Sequence, residues 1–312
     1  MDDRKNAALV LASGGSRGLA HIGAIEVLEE HGFNITSIAG ASMGALVGGI
    51  YAAGGLEAFK EWMKTVDRMK VLNLMDFTIG NGGFVKGDKV IGELKSIIPD
   101  KLIEELPIPF AAVATDILHR REAVFTSGSL YDAIRSSISM PSIFTPNRIG
   151  DMLLVDGGVI NPVPVSRVLR TPGDILVAVD LNGPYIEKPE EKTEHQKGRL
   201  RQRLEKIVDT IADKVKKDEV DSHVLPGPGG HDEAKEDDND MGIVAILNES
   251  SSVMIQTNAD LTLRLYPPDI LVRIAKNAYS TMEFYKYDEI VALGRTKMEE
   301  ALSRYRCGSL RP

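Results

Sequence analysis

The stretch Ile35-Thr36-Ser37-Ile38-Ala39-Gly40-Ala41-Ser42-Met43-Gly44-Ala45-Leu46-Val47-Gly48-Gly49-Ile50 decides the fold class of this chain. Ile35–Ala39 is a short apolar run, which predicts a buried strand. Gly40 to Gly44 follows as a turn, and Ala45–Ala53 as a helix of small residues closed by Gly54-Gly55. Glycines two residues either side of a serine permit a tight strand-to-helix bend that forces the hydroxyl outward at a helix N-terminus. The segment Ile38–Leu56 is low in charge, but its glycine and alanine content and the sharp turn inside it favour a buried helix over a membrane span.

The same punctuation occurs upstream. Ala7–Ala12 is an apolar run that ends in Ser13-Gly14-Gly15, and Leu19 to His31 carries Leu19, Ile22, Ile25 and Leu28 at helical spacing before Gly32 stops it. Strand, helix, strand, helix in this order predicts an α/β protein with a mainly parallel sheet. Further strands are expected at Phe110–Thr115, Leu153–Val155, Ile175–Asp180 and Leu261–Tyr266, with a final helical region to about Tyr305. Trp62, with Phe59, Met63 and Val66 at helical spacing, reads as a core stripe rather than a ligand contact.

The chain divides into a core over 7–182, a strongly charged insertion over 187–240 and a part over 242–305 that completes the same domain. Within the insertion, Leu200, Leu204, Ile207, Val208, Ile211 and Val215 predict an amphipathic helix, and Pro226-Gly227-Pro228-Gly229-Gly230 a loop. Such a helix covers something apolar: the mouth of a site as a lid, a partner subunit or a lipid surface, with the protein's own body as the default. Transient contact with a membrane surface stays open on this reading, as does the oligomeric state.

With 45 acidic against 37 basic side chains the formal net charge is −8, which argues against a nucleic-acid binder. The single cysteine, Cys307, excludes an internal disulfide and a cysteine-based metal site. No zinc spacing or calcium loop occurs, so neither a metal nor an organic cofactor is indicated. Ala7–Ala12 is shorter than the core of an export signal, which leads us to expect a cytoplasmic protein.

Three constellations carry chemistry. The first is the turn around Ser42. The second is Ser13-Gly14-Gly15-Ser16-Arg17-Gly18, whose exposed backbone N–H groups at a helix start can cradle either a phosphate or the oxyanion of acyl transfer. The loop lacks the Lys-Ser/Thr ending of a nucleotide-binding loop. The third is Val155-Asp156-Gly157-Gly158, an aspartate at a strand end that reads either as an Asx turn or as a carboxylate pointing into a site. A serine nucleophile needs a base. The histidines after Asp156 are His195, His223 and His231, all in the charged segment and none at a strand end. The sequence therefore points to activation of Ser42 by a carboxylate.

GGSRGLAHIG at 14–23, GASMG at 40–44 and DGG at 156–158 together resemble the patatin-like phospholipase family. ATDILHRREAVFTSG (114–128), SISMPSIFTP (137–146) and DGGVINPVPV (156–165) extend the likeness, which covers Leu9 to Asp180 well and Val253 to Leu302 more weakly. The resemblance implies a three-layer α/β/α sandwich and a Ser-Asp dyad. Ser42 would be the nucleophile and Asp156 the base, with an oxyanion loop at Gly14, Gly15, Ser16, Arg17 and Gly18. Its N–H donors would come from Gly14, Gly15 and Ser16, with Arg17 either ordering the loop, the favoured role, or approaching a substrate phosphate. The expected substrate is a fatty acyl ester of a lipid or phospholipid. A small-ester or thioesterase activity, or a non-catalytic acyl-binding protein, are the alternatives.

Overall fold

The computed structural model describes residues 5–74, 85–141, 143–186 and 243–308. The charged insertion, its amphipathic helix and His195, His223 and His231 lie outside the described residues.

Eight strands form one sheet among the described residues: β1 (Lys5–Leu11), β2 (Phe33–Ala41), β3 (Phe110–Asp116), β4 (Arg121–Phe125), β5 (Asn147–Ile149), β6 (Met152–Asp156), β7 (Ile175–Gly183) and β8 (Ile270–Ala275). The order is β5-β6-β3-β2-β1-β7-β8, with β4 paired to β3. The pairs β3–β2, β2–β1, β1–β7 and β7–β8 are parallel, while β4, β6 and β5 join antiparallel beyond them. The helices are α1 (Ala20–Glu30), α2 (Met43–Ala52), α3 (Leu56–Lys64), α4 (Arg68–Leu74), α5 (Asp88–Ile97), α6 (Leu130–Ser137), α7 (Ile243–Leu265) and α8 (Tyr287–Arg306).

The three layers follow from the period-two alternation of the central strand. Leu9 and Leu11 of β1 join one apolar cluster with α1, α2 and α8, while Ala8 and Val10 join a second with Val163, Val165 and Ala259 and Leu263 of α7. Both faces of β1 are therefore covered, as its continuous apolar run requires. The parallel strands also put the C-terminal ends of β1 and β2 at one edge, where both glycine turns emerge.

One expected strand is corrected. Leu261–Tyr266 is not a strand; residues up to Leu265 are the last turns of α7, and the strand comes later, as β8. Leu261, Leu263 and Leu265 alternate as a strand would. In the fold Ala259 and Leu263, four apart, are buried on the sheet, while Leu261 and Leu265 are exposed at 57% and 70%. Pro267-Pro268 then ends the helix. No helix among the described residues is long and apolar enough to cross a membrane.

Candidate active site

Ser42 sits alone between β2 and α2, with φ 54° and ψ −124°. That backbone is left-handed for a non-glycine residue and costs on the order of 1–3 kcal/mol, so the surroundings must hold it. Gly44 shows how tightly they do. A Cβ added there would stand 2.0 Å from the Leu11 carbonyl oxygen, and one at Gly40 would stand 2.3 Å from that of Gly44. The first turn of α2 thus rests directly on the end of β1. Gly44→Ala is expected to lose roughly 1–3 kcal/mol of stability and most activity, read by thermal melting and turnover on one preparation. An unchanged melting temperature would count against the close approach.

The hydroxyl thrown outward by this turn meets Asp156 at the end of β6. Ser42 Oγ donates to Asp156 Oδ2 at 2.5 Å, and Asp156 Oδ1 accepts the Gly158 N–H at 2.7 Å. Ser42 is 3% exposed and Asp156 4%. Burial dominates the carboxyl's titration and pushes its pKa up to about 6, against the pull of the Ser42 and Gly158 hydrogen bonds. At neutral pH the group is chiefly a carboxylate whose basicity exceeds that of an ordinary aspartate.

The glycine-rich loop after β1 turns into a short 3-10 helix, Gly15–Leu19. Gly15 has φ +57° and faces the same cavity as Ser42. Among the described residues, the N–H groups of Gly14 and Gly15 have no acceptor. That of Ser16 is engaged: it donates to the Thr281 carbonyl at 2.9 Å, and the Ser16 hydroxyl donates to Ser280. Of the three N–H groups expected to face an oxyanion, two are available. The Arg17 guanidinium turns away from the cavity, donating to the carbonyls of Tyr279 at 2.7 Å and Leu181 at 3.3 Å. Gly18 packs on Met43, which joins the loop to the elbow.

The three described histidines are engaged elsewhere. His21 is fully buried and bonds the Ala12 carbonyl, His31 bonds Glu299 and His119 bonds Asp116. Burial holds the His21 pKa down to about 4, so the ring is neutral.

Ser42 opens onto a cleft of about 110 Å³. Its walls are almost wholly apolar: Leu46 from α2, Phe59, Trp62 and Met63 from α3, Val90 and Leu94 from α5, and Ile138, Met140 and Phe144 after α6. Phe59, Met63 and Val66 are buried and Trp62 is half-buried against them, as a core stripe should be, and the same residues also form part of the cavity wall. The reading of that stripe as core therefore holds, and the fold adds that one side of it borders the cleft. Helical periodicity reports that a face is covered, not whether protein or ligand covers it.

Sequence reading missed one group at the site. Ser137, at the end of α6, accepts the Ser42 N–H at 2.8 Å and donates to the Val113 carbonyl at 2.6 Å. Its only signal was membership of the SISMPSIFTP stretch.

Just over half of the chain fits one described family, the patatin-like phospholipases. The description of that family matches residues 9–169, and the chain belongs to it. It is 32% identical to an uncharacterized NTE family protein of Mycobacterium tuberculosis, over 96% of this chain and 91% of that one. The lysophospholipase NTE1 of Yarrowia lipolytica is 30% identical over 55% of this chain, which is 12% of its own length. Among solved structures, VipD from Legionella pneumophila superposes with a TM-score of 0.46 at 15% identity, covering 97% of this chain and 67% of that one. The protein is a lipid ester hydrolase.

Proposed function

We propose that the protein hydrolyses fatty acyl esters of phospholipids or lysophospholipids through a Ser42–Asp156 dyad. The observation that carries this reading is the 2.5 Å hydrogen bond from Ser42 Oγ to Asp156 Oδ2 at the head of an apolar cleft. Asp156 takes the Ser42 proton as the oxygen attacks the ester carbonyl. The N–H groups of Gly14 and Gly15 receive the negative charge that develops on the carbonyl oxygen. Collapse of the tetrahedral intermediate breaks the ester C–O bond. Asp156 returns the proton to the departing alkoxide and leaves an acyl-Ser42. Water then attacks with Asp156 as base, releasing the fatty acid and restoring the dyad. The acyl chain lies along the walls from Leu46 to Phe144, with roughly 0.8 kcal/mol gained per buried methylene.

The test is a panel of lysophospholipids and p-nitrophenyl esters of increasing chain length, with Ser42→Ala as control. KM is expected to fall as the chain lengthens until the cleft is full, and Ser42→Ala to be inactive throughout. Because the active form is the carboxylate, kcat/KM is expected to rise with pH through about 6 and then level off. Residual turnover in Ser42→Ala, or an acid limb at the ordinary aspartate value, would overturn the dyad.

A further inference from the structure

The geometry points to Ser137 as a positioning residue that aims Ser42 at Asp156, an inference that rests on the dyad reading above. The last register pair between β2 and β3 is Ala41 with Val113. One residue on, the chain must leave the ladder so that Ser42 can turn outward, which strands the Ser42 N–H and the Val113 carbonyl in a dry interior. The Ser137 hydroxyl stands between them. It accepts from Ser42 N–H at 2.8 Å and donates to Val113 C=O at 2.6 Å, and its side chain is wholly buried. One oxygen atom thus replaces a direct strand-to-strand bond and adds the width that lets the elbow peel away. Two residues along, the Ser139 carbonyl accepts the Asp156 N–H at 2.9 Å. The three residues 137–139 therefore hold the backbones of nucleophile and base in one frame.

This role differs from packing. Without the hydroxyl, the Ser42 N–H seeks another acceptor, the strained turn relaxes and Oγ moves off the carboxylate. The reacting geometry suffers while the acyl cleft, which the Ser137 side chain does not itself line, keeps its walls. Asp156 also loses a hydrogen bond that favours its charged form, so it titrates higher.

Ser137→Ala, Ser137→Cys and Ser137→Thr would be compared with wild type. The readouts are fluorophosphonate labelling rate, kcat and KM on a short-chain ester, and the acid limb of the pH profile. Ser137→Ala is expected to lower kcat and labelling by about 100-fold, with KM held within about threefold and the acid limb displaced upward. Ser137→Cys preserves size but is a poor hydrogen-bonding group, and it is expected to behave similarly if the alanine variant does not fold. Ser137→Thr retains the hydroxyl and is expected to recover to within about tenfold of wild type. The inference is overturned if alanine or cysteine labels within about twofold of wild type, if the loss lies in KM, or if folded Ser137→Thr is as slow as alanine. A wild type that does not label at Ser42 would overturn the dyad itself; a labelled wild type matched by Ser137→Ala overturns only the role given to Ser137.

Discussion

Asp156→Asn is expected to abolish ester hydrolysis and to make the protein more stable at neutral pH. The first effect follows from chemistry. An amide cannot accept the Ser42 proton, and no described histidine touches Ser42, so turnover should fall by ~10⁴-fold or more. The second follows from linkage. The Asp156 pKa is raised from 3.8 to about 6 by burial. A carboxyl whose folded pKa lies above its unfolded value contributes stability that is fully present below the unfolded pKa, near 3.8, and lost as pH rises through about 6. At pH 7.5 the wild type therefore carries a cost of about 3 kcal/mol that a neutral side chain escapes. Asparagine can still accept the Gly158 N–H through Oδ1 and donate to Ser42 Oγ through Nδ2, so neither partner is orphaned. Melting curves should show the variant several degrees above wild type at pH 7.5, with the gap closing below about pH 4. A variant that keeps turnover would remove Asp156 as the base. One that melts with wild type at every pH would show that burial of the charge is already offset within the fold.

The second large effect is expected at Gly15. Valine there must adopt φ +57°, and its Cβ would stand 2.7 Å from Thr281 Cγ2 and 2.9 Å from the Thr281 carbonyl oxygen. Thr281 cannot simply yield, because its carbonyl holds the Ser16 N–H. The loop must shift instead, and with it the unpaired N–H groups of Gly14 and Gly15. In the proposed oxyanion role those donors act on charge that exists only in the transition state, so kcat should fall by ~10²–10³-fold while KM changes little. Fluorophosphonate labelling should slow in parallel, since the phosphonyl oxygen uses the same donors. A pure rise in KM would mark the loop as a binding element and move the oxyanion site elsewhere.

Patterns that depend on the chain's own geometry were legible before any fold was seen. Strand-glycine-helix punctuation at Ser13-Gly14-Gly15 and at Gly40 to Gly44 follows from which residues tolerate left-handed backbone and close approach, and these are local properties. The same holds for the buried parallel strands, whose unbroken apolar runs need cover on both faces. Pairing Ser42 with Asp156, 114 positions apart, rested on the resemblance of three motifs, because nothing local in an Asp-Gly-Gly sequence separates a catalytic carboxylate from an Asx turn.

What the tertiary structure decided is of another kind. Leu261–Leu265 alternates like a strand, and only the sheet lying against Ala259 and Leu263 makes it helix. Periodicity around Trp62 announces a covered face, and only the arrangement of α2, α3 and α5 leaves that face lining a cleft. Ser16 looked equivalent to Gly14 and Gly15 until the carbonyl of Thr281, far along the chain, took its N–H. Ser137 carries no signal in one dimension beyond its place in the SISMPSIFTP stretch. Its role exists only where β2 and β3 part and a single hydroxyl spans the gap. Hydrogen-bond partners distant in sequence are selected by packing, and packing is a property of the folded chain.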